Sequence, residues 1–459
     1  MFTFNNFIHY IPEFVILISA FLQLFCKRIS LYITFCGLLL ATLSLVTSMV
    51  NPNELYCYLF KILICIASVL VLSMYSKRKT ISNNTQYNFL YLISVFFLCM
   101  IINSGNFLGL YLNIELFSIS MYFLLSIDKA KLSYSETVKY LVSTSIASSF
   151  IMLGAAFIYG LTGTLSFQGV YDFLANTDNY SFSTYVVPYI FIISGLMFKL
   201  GAFPFGNWLI DIYKNIDTKT VTFLSVIPKL SIFAVMIKVL GAFITFETSC
   251  LIILFALFTG IFGAVYGIKS RNLKVLMACS SYINMSYMLI ALALYTKLSI
   301  STMIFYWIMY VFMNIGAFAG IVVLEHSNLT NKCFDFKGYF YKNPVFSICF
   351  AICIISLLGL PISGGFIAKL YLLAGVINSG IGAIPLILVM FTIMIISAVL
   401  YLKIIKNMIT ILPYAENRII KTKINNKLIL YLCSIVIIIT GLFPAWFIKL
   451  CETVSFYVY

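Results

Sequence analysis

With 459 residues, 62% of them hydrophobic and only 9% charged, and a mean hydropathy of +1.06, the chain is too apolar for a water-soluble globule. Runs such as 56–75, 140–162 and 427–448 are continuously apolar rather than alternating, which excludes a β-barrel and leaves an all-α polytopic membrane protein. The net charge of +15, from 29 Lys+Arg against 14 Asp+Glu, is in such a chain an orientation signal before it is a nucleic-acid one, and no nucleic-acid partner is expected.

The first residues, MFTFNNFIHYIPEF, lack a basic region or a small-residue cleavage site, so the first apolar run is expected to stay as a helix. In chain order, apolar runs broken by polar or Gly/Pro punctuation predict helices near 12–26, 30–49, 56–75, 87–104, 106–126, 137–160, 185–206, 219–244, 248–268, 274–296, 299–324, 345–374, 382–407 and 427–448. That is about fourteen crossings in one transmembrane domain. Connections after odd-numbered segments hold most of the basic residues, from Lys27 and Arg28 through Lys77, Arg78 and Lys79 to Lys423 and Lys427, whereas only Lys61, Lys238, Lys297 and Lys449 lie near the other side. Both termini are then expected on the side opposite the cytoplasm or matrix, which requires an even number of crossings. The 12 cysteines are scattered, and the closest pair, Cys349 and Cys353, lies within an apolar run. Neither a zinc nor an iron–sulfur spacing is present, and no Gly-rich dinucleotide loop follows a strand, so no cofactor is expected on this chain.

Four of the basic residues, Lys139, Lys199, Lys229 and Lys369, fall inside predicted helices. A charge at the bilayer centre costs about 2.5–3.5 kcal/mol on insertion scales, so such residues face a protein or water-filled interior and mark ion pathways. Lys139 is nearer an end, three residues after Glu136 and behind a Ser133-Tyr-Ser-Glu136 stretch that resembles a capping box. Snorkelling or a local ion pair competes with a pathway role there. Glu115, about ten residues from either end of the fifth segment, is the matching deep acid, and no other deep carboxylate is evident. Lys199 precedes Gly201 and Pro204, while Lys369 follows Gly359-Leu360-Pro361 and Gly364-Gly365. The seventh and twelfth segments are thus predicted to be interrupted, as in transporters built from repeats. Burial disfavours a charge and an opposite charge nearby favours it, so a change in the Glu115–Lys199 distance would exchange protons. Lys229, Lys369 and intervening waters could pass them on.

These residues carry a resemblance. The segment GLMFKLGAFPFGNWLIDIYKNIDTKTVTFLSVIPKLSIFA (195–234), with SETVKYLVSTSIASSFIMLGAAFIYGLTGT (135–164), RNLKVLMACSSYINMSY (271–287), YVFMNIGAFAG (310–320) and FKGYFYKNPVFSICFAICIISLLGLPISGGFIAKLYL (336–372), is similar to subunit N of the proton-pumping NADH–quinone oxidoreductase, respiratory complex I, the mitochondrial subunit 2. The resemblance implies an antiporter-like fold with two inverted repeats, helices 4–8 (87–244) and 9–13 (248–407), flanked by 1–86 and 408–459. It implies proton translocation through Glu115 paired with Lys199, central Lys229 and terminal Lys369, with Lys139 modulating the pair. NADH, FMN, iron–sulfur clusters and quinone are implied in partner subunits. Other membrane subunits of K-like and M-like type are the implied neighbours, in a bacterial inner membrane or, if organelle-encoded, the mitochondrial one. Two positions depart from the family pattern: Gly206 and Asn284 stand where histidines are expected. A relay between Lys229 and Lys369 would then depend on Tyr282, Asn284, Tyr287 or water. The alternatives are an Mrp-type cation/proton antiporter subunit, which shares the buried Glu/Lys logic, and a structural membrane spacer, for which deep lysines would be an unexplained cost.

Overall fold

The computed structural model describes residues 10–26, 29–48, 55–74, 85–127, 131–176, 182–241, 243, 245–326, 337–380, 382–410 and 424–456. They form helices α1 (Ile11–Phe25), α2 (Ser30–Ser48), α3 (Leu55–Ser73), α4 (Thr85–Asn103), α5 (Phe107–Ser126), α6 (Lys131–Thr162), α7 (Phe167–Asn176), α8 (Phe182–Leu200), α9 (Asn207–Asn215) and α10 (Thr218–Gly241). They continue with α11 (Phe246–Lys269), α12 (Leu273–Leu294), α13 (Lys297–His326), α14 (Tyr339–Lys342), α15 (Pro344–Leu358), α16 (Gly364–Ser379), α17 (Ala383–Ile409), α18 (Ile424–Leu442) and α19 (Pro444–Phe456). Among the described residues the only β pairing is an isolated Asn106–Ser166 bridge. Every predicted segment overlaps helix, the twelfth and fourteenth each being divided between two, and among the described residues 11 helices, against about fourteen expected crossings, are long and apolar enough to cross a membrane. Many of the basic residues behind the predicted orientation, Lys27, Arg28, Lys77, Arg78, Lys79, Lys129 and Lys332 among them, lie outside the described residues.

Both predicted interruptions are present and share one mechanism. The seventh segment ends as α8 at Leu200, and Gly201 adopts φ +74°. There the Gly201 N–H donates to the Phe198 carbonyl at 3.0 Å and the Ala202 N–H to that of Met197 at 2.9 Å. The twelfth ends as α15 at Leu358, Gly359 has φ +83°, its N–H reaches Ser356 at 3.0 Å, and the Leu360 N–H reaches Ile355 at 3.3 Å. Each is a Schellman stop, in which a left-handed glycine lets two N–H groups satisfy carbonyls that the ended helix leaves open. The chain restarts as α9 at Asn207 and as α16 at Gly364. Stacking of Phe198 on Phe205, ring centroids 5.2 Å apart, spans the first gap.

The chain divides into two compact units. The first comprises residues 1–69, 79–215 and 227–251, and the second 70–78, 216–226 and 252–459. In the first, α6 and α8 approach through reciprocal glycines: a Cβ on Gly195 would lie 2.7 Å from the Ala147 carbonyl oxygen, and one on Gly154 2.9 Å from that of Pro188. Small residues at such crossings let backbones close where lipid offers no hydrophobic drive. In the second unit α12 is buried along its whole length although it carries Lys274, Ser280, Ser281, Tyr282, Asn284 and Ser286. Polar groups so buried must be paired internally.

The α6–α8 contact yields a prediction. Gly195→Leu should destabilise the protein by about 1–3 kcal/mol, the usual cost of overpacking. Gly160→Leu, where a Cβ meets nothing within 4 Å, should be near neutral. Thermal denaturation of detergent-purified protein checks the difference; equal midpoints would contradict the close crossing.

Candidate functional site

In the first unit, α5 starts at Asn106, whose side chain accepts from the Gly109 N–H at 2.6 Å. This helix presents Glu115 and Ser118 one turn apart. Lys199, in the last turn of α8, is 8% exposed. A cation there faces the carbonyl end of its helix, where the macrodipole favours it. Its Nζ donates to Ser118 Oγ at 2.7 Å, and Ser118 in turn donates to the Ile114 carbonyl at 2.7 Å. Glu115 is within electrostatic reach of Lys199, yet no ion pair joins them among the described residues. Glu115 Oε2 is buried and has no hydrogen-bond partner. The expected acid–base couple is therefore an ammonium held by a hydroxyl one turn from a carboxylate. Tyr140, buried on α6, faces both Ser118 and Glu115, and its ring packs edge-on against Trp208 of α9 at 5.6 Å.

Lys139 is placed apart from this couple. Its side chain is 54% exposed and pairs with Glu136 at 3.2 Å and Asp211 at 3.3 Å. Asn215 donates to the same Glu136 oxygen at 3.3 Å. Lys139 thus ties α6 to α9, the restart after the first break, while its neighbour Tyr140 reaches the Glu115 side. Lys229 is 3% exposed within α10, directly after Pro228.

In the second unit, Lys369 is 7% exposed. It reaches back across the second break to donate to the carbonyls of Leu357 at 2.9 Å and Leu358 at 2.6 Å, two groups that the end of α15 leaves without helical partners. A Cβ on Gly359 would lie 2.7 Å from Lys369 Cδ, so this glycine supplies both the turn and the room for the lysine. The ammonium also lies 5.4 Å from the centroid of the Tyr287 ring, and a cavity there is lined by Tyr287, Tyr306, Lys369, Leu372, Met390 and Phe391. Asn284, fully buried, is the hub of the neighbouring network. It accepts from the Tyr306 hydroxyl at 2.7 Å and donates to the Ser280 carbonyl at 2.8 Å, while Ser280 Oγ and the Tyr401 hydroxyl are 2.6 Å apart. Of the three side chains that the sequence offers for a relay, Asn284 lies in this network and Tyr287 lies against Lys369. Tyr306 and Tyr401 are further members, whereas Tyr282 packs edge-on to Phe262 at 5.6 Å.

Several charges assigned to connections or helix ends are buried instead. Lys274 pairs with Glu325 at 3.0 Å and donates to the Ile216 carbonyl at 2.9 Å. Thr218 donates to Glu325 at 2.7 Å, and Lys219 to the Leu72 carbonyl at 3.0 Å. Lys61 pairs with Glu13 at 2.7 Å. Beside Glu115 stand further acids covered by protein: Glu13, Glu136, Asp217 and Glu325 are all buried. These groups lie near helix ends, where hydropathy places them close to water, but neighbouring helices cover them. Among the described residues, no group of three His, Cys, Asp or Glu could hold a metal ion.

Each glycine-stopped break thus has a buried lysine beside it, Lys199 on the stopped helix of the first and Lys369 on the restarted helix of the second. Residues 104–443 match the family model described as NADH:quinone oxidoreductase/Mrp antiporter, transmembrane. The chain belongs to this family. Within the NADH:quinone oxidoreductase/Mrp antiporter family, it is 33% identical to the NADH-quinone oxidoreductase subunit N of Magnetococcus marinus over 69% of this chain and 67% of that protein. It is 28% identical to that of Ruthia magnifica subsp. Calyptogena magnifica over 95% of this chain and 93% of the relative. In fold it is similar to a chain of respiratory complex I from Thermus thermophilus with bound aureothin, with a TM-score of 0.82, 20% identity, and 96% of this chain and 99% of that chain covered. It is a membrane-spanning protein with the antiporter-like fold of this family.

Ser118 is the site residue that sequence reading missed, although its position one turn after Glu115 is a usable signal. Ser118→Ala should leave the Lys199 ammonium without its hydroxyl and cost about 1.5–3 kcal/mol, the usual worth of a hydrogen bond to a charged group. Thr42→Ala, which removes an exposed intrahelical hydroxyl, should cost little. Thermal midpoints of the two purified variants check this, and a neutral Ser118→Ala would mean that Lys199 is held some other way.

Proposed function

We propose that the chain is a proton-translocating membrane subunit of a NADH–quinone oxidoreductase. Electron transfer from NADH to quinone takes place on partner subunits, which hold FMN, iron–sulfur clusters and the quinone site, and this chain moves protons through buried Glu/Lys groups. Its neighbours are the other membrane subunits of the complex, of K-like and M-like type. The relatives named above are subunits N of that enzyme, and that supports this reading over the antiporter one.

The observation that carries it is the Glu115–Ser118–Lys199 arrangement. Lys199 is fixed by a neutral hydroxyl at 2.7 Å while a carboxylate oxygen of Glu115 stays unpartnered nearby. A modest shift of α8 at its glycine stop would exchange Ser118 for Glu115 as the partner of Nζ. With Glu115 close the ammonium is favoured, and with Ser118 alone burial disfavours it, so the exchange loads and unloads a proton. From Lys199 the route continues through Lys229 to Lys369, and the Asn284–Tyr306–Tyr401 network substitutes for the imidazole absent at Asn284. Hydroxyls and an amide can relay a proton by hydrogen-bond rearrangement without titrating near neutral pH, unlike histidine. Lys139 adjusts the couple through Glu136 and the adjoining Tyr140.

Lys199→Met and Glu115→Ala, introduced into the assembled enzyme, are expected to lower both proton pumping and quinone reductase activity while the complex still assembles. Coupled measurements on membrane vesicles, with native gels for assembly, provide the check. Full activity in both variants would refute the role of the couple.

A further inference from the structure

The charged groups of the N-terminal helices take no part in the couple described above. Glu13, in the first turn of α1, and Lys61, on the second turn of α3, form an ion pair of 2.7 Å in which each side chain is 2% exposed. Asn103, the last residue of α4, donates to Glu13 Oε1 at 3.0 Å. That same oxygen takes both partners, whereas Oε2 is buried and has none. One residue before Asn103, the Ile102 carbonyl accepts from Lys238 at 2.7 Å, and the Lys238 ammonium lies 5.9 Å from the centroid of the Tyr56 ring. Lys238 follows Lys229 on α10 by nine residues, about 13 Å along the helix axis. The other titratable groups facing Lys61 are the phenol of Tyr58, 5.6 Å away, and the thiols of Cys57 and Cys99, with Cys65 beside Cys99. All of these residues belong to the first unit.

Two features set this cluster apart from a packing lock. A buried ion pair is a weak device for holding helices together, because apolar side chains of similar volume do so equally well or better. Its place along the chain is also informative. The start of α1, the start of α3, the end of α4 and the end of α10 all fall on the side opposite the basic connections in an up-and-down chain, so the cluster sits towards the outer face.

We propose that Glu13 and Lys61, with Asn103 and Lys238, form the outward proton-release site of this chain. The proposal rests on the proton-translocating reading and gives it an outlet. A proton arriving along α10 through Lys238 binds at Glu13 Oε2 and neutralises the carboxylate. The Lys61 ammonium, deprived of its counter-charge, releases its own proton outward as an amine. Transfer of the carboxyl proton to that amine then restores the ion pair. One proton enters, one leaves, and no other reactant is consumed.

Dicyclohexylcarbodiimide, an apolar reagent that attacks carboxyl groups only when they are protonated, tests the wild-type complex directly. During NADH-driven turnover, a carbodiimide adduct should accumulate on the peptide carrying Glu13, read by mass spectrometry. No adduct at Glu13 during turnover would overturn the proposal. In parallel, the E13L/K61L double variant replaces the pair by apolar packing. It should assemble as the parent does but lose part of its proton transport per quinone reduced. A parental ratio in the assembled variant would overturn the outlet while leaving the Lys199 reading intact, since that reading falls only on the Lys199 and Glu115 variants. If the double variant fails to assemble, the adduct on the wild-type complex decides.

Discussion

A buried ammonium has to be solvated by protein rather than by water, and for Lys369 and Lys219 a helix end does that work. Lys369 donates to the last two carbonyls of α15 and Lys219 to the Leu72 carbonyl near the end of α3, whereas Lys274 pairs with Glu325 besides donating to the Ile216 carbonyl, and Lys61 pairs with Glu13. The open carbonyls of a helix terminus are dipolar but uncharged, and the macrodipole adds to their attraction for a cation. Such a partner stabilises the charged lysine without leaving a charge behind when the proton departs. A full carboxylate partner would hold the proton more firmly and would be stranded on its loss. Lys199 follows the same rule with a hydroxyl, and Glu115 stands one turn away.

The two Schellman stops follow from this requirement. An unbroken helix would consume its carbonyls internally and offer nothing to Lys369, and a helix end open to lipid would leave several polar groups unpaired. Gly359 solves both problems, since its left-handed backbone closes the end of α15 and its missing side chain makes room for the lysine. Gly201 stops α8 by the same pattern of hydrogen bonds directly after Lys199. Both breaks thus lie beside a buried lysine, and under the proposed function they are where a proton would be held and given up.

Much of this was legible in the sequence, for identifiable reasons. Helix positions follow from apolar runs, because lipid leaves the backbone no alternative to internal pairing. The breaks follow from glycine and proline, whose backbone preferences are local. Lys199, Lys229 and Lys369 stand out because a charge amid an apolar run is costly wherever the helix points. What hydropathy cannot show is lateral burial. Lys61, Lys219 and Lys274 lie near helix ends and read as surface charges, yet neighbouring helices cover them and pair them with Glu13, the Leu72 carbonyl and Glu325. Lys139, which the sequence sets nearer a helix end than the other three, is half exposed and pairs with Glu136. Ser118 escaped notice because a serine within an apolar helix usually bonds its own backbone, as Ser118 also does while receiving Lys199.

The central claim is that these lysines matter because they release protons, not because they are positive. Arginine separates the two, since it keeps the charge and does not give up its proton in proteins. The ratio of protons translocated to quinone reduced, measured in vesicles carrying complexes with Lys199→Arg or Lys229→Arg, is the most direct test. The account predicts that both variants lose proton translocation despite the retained charge. Parental ratios with arginine in place would contradict it.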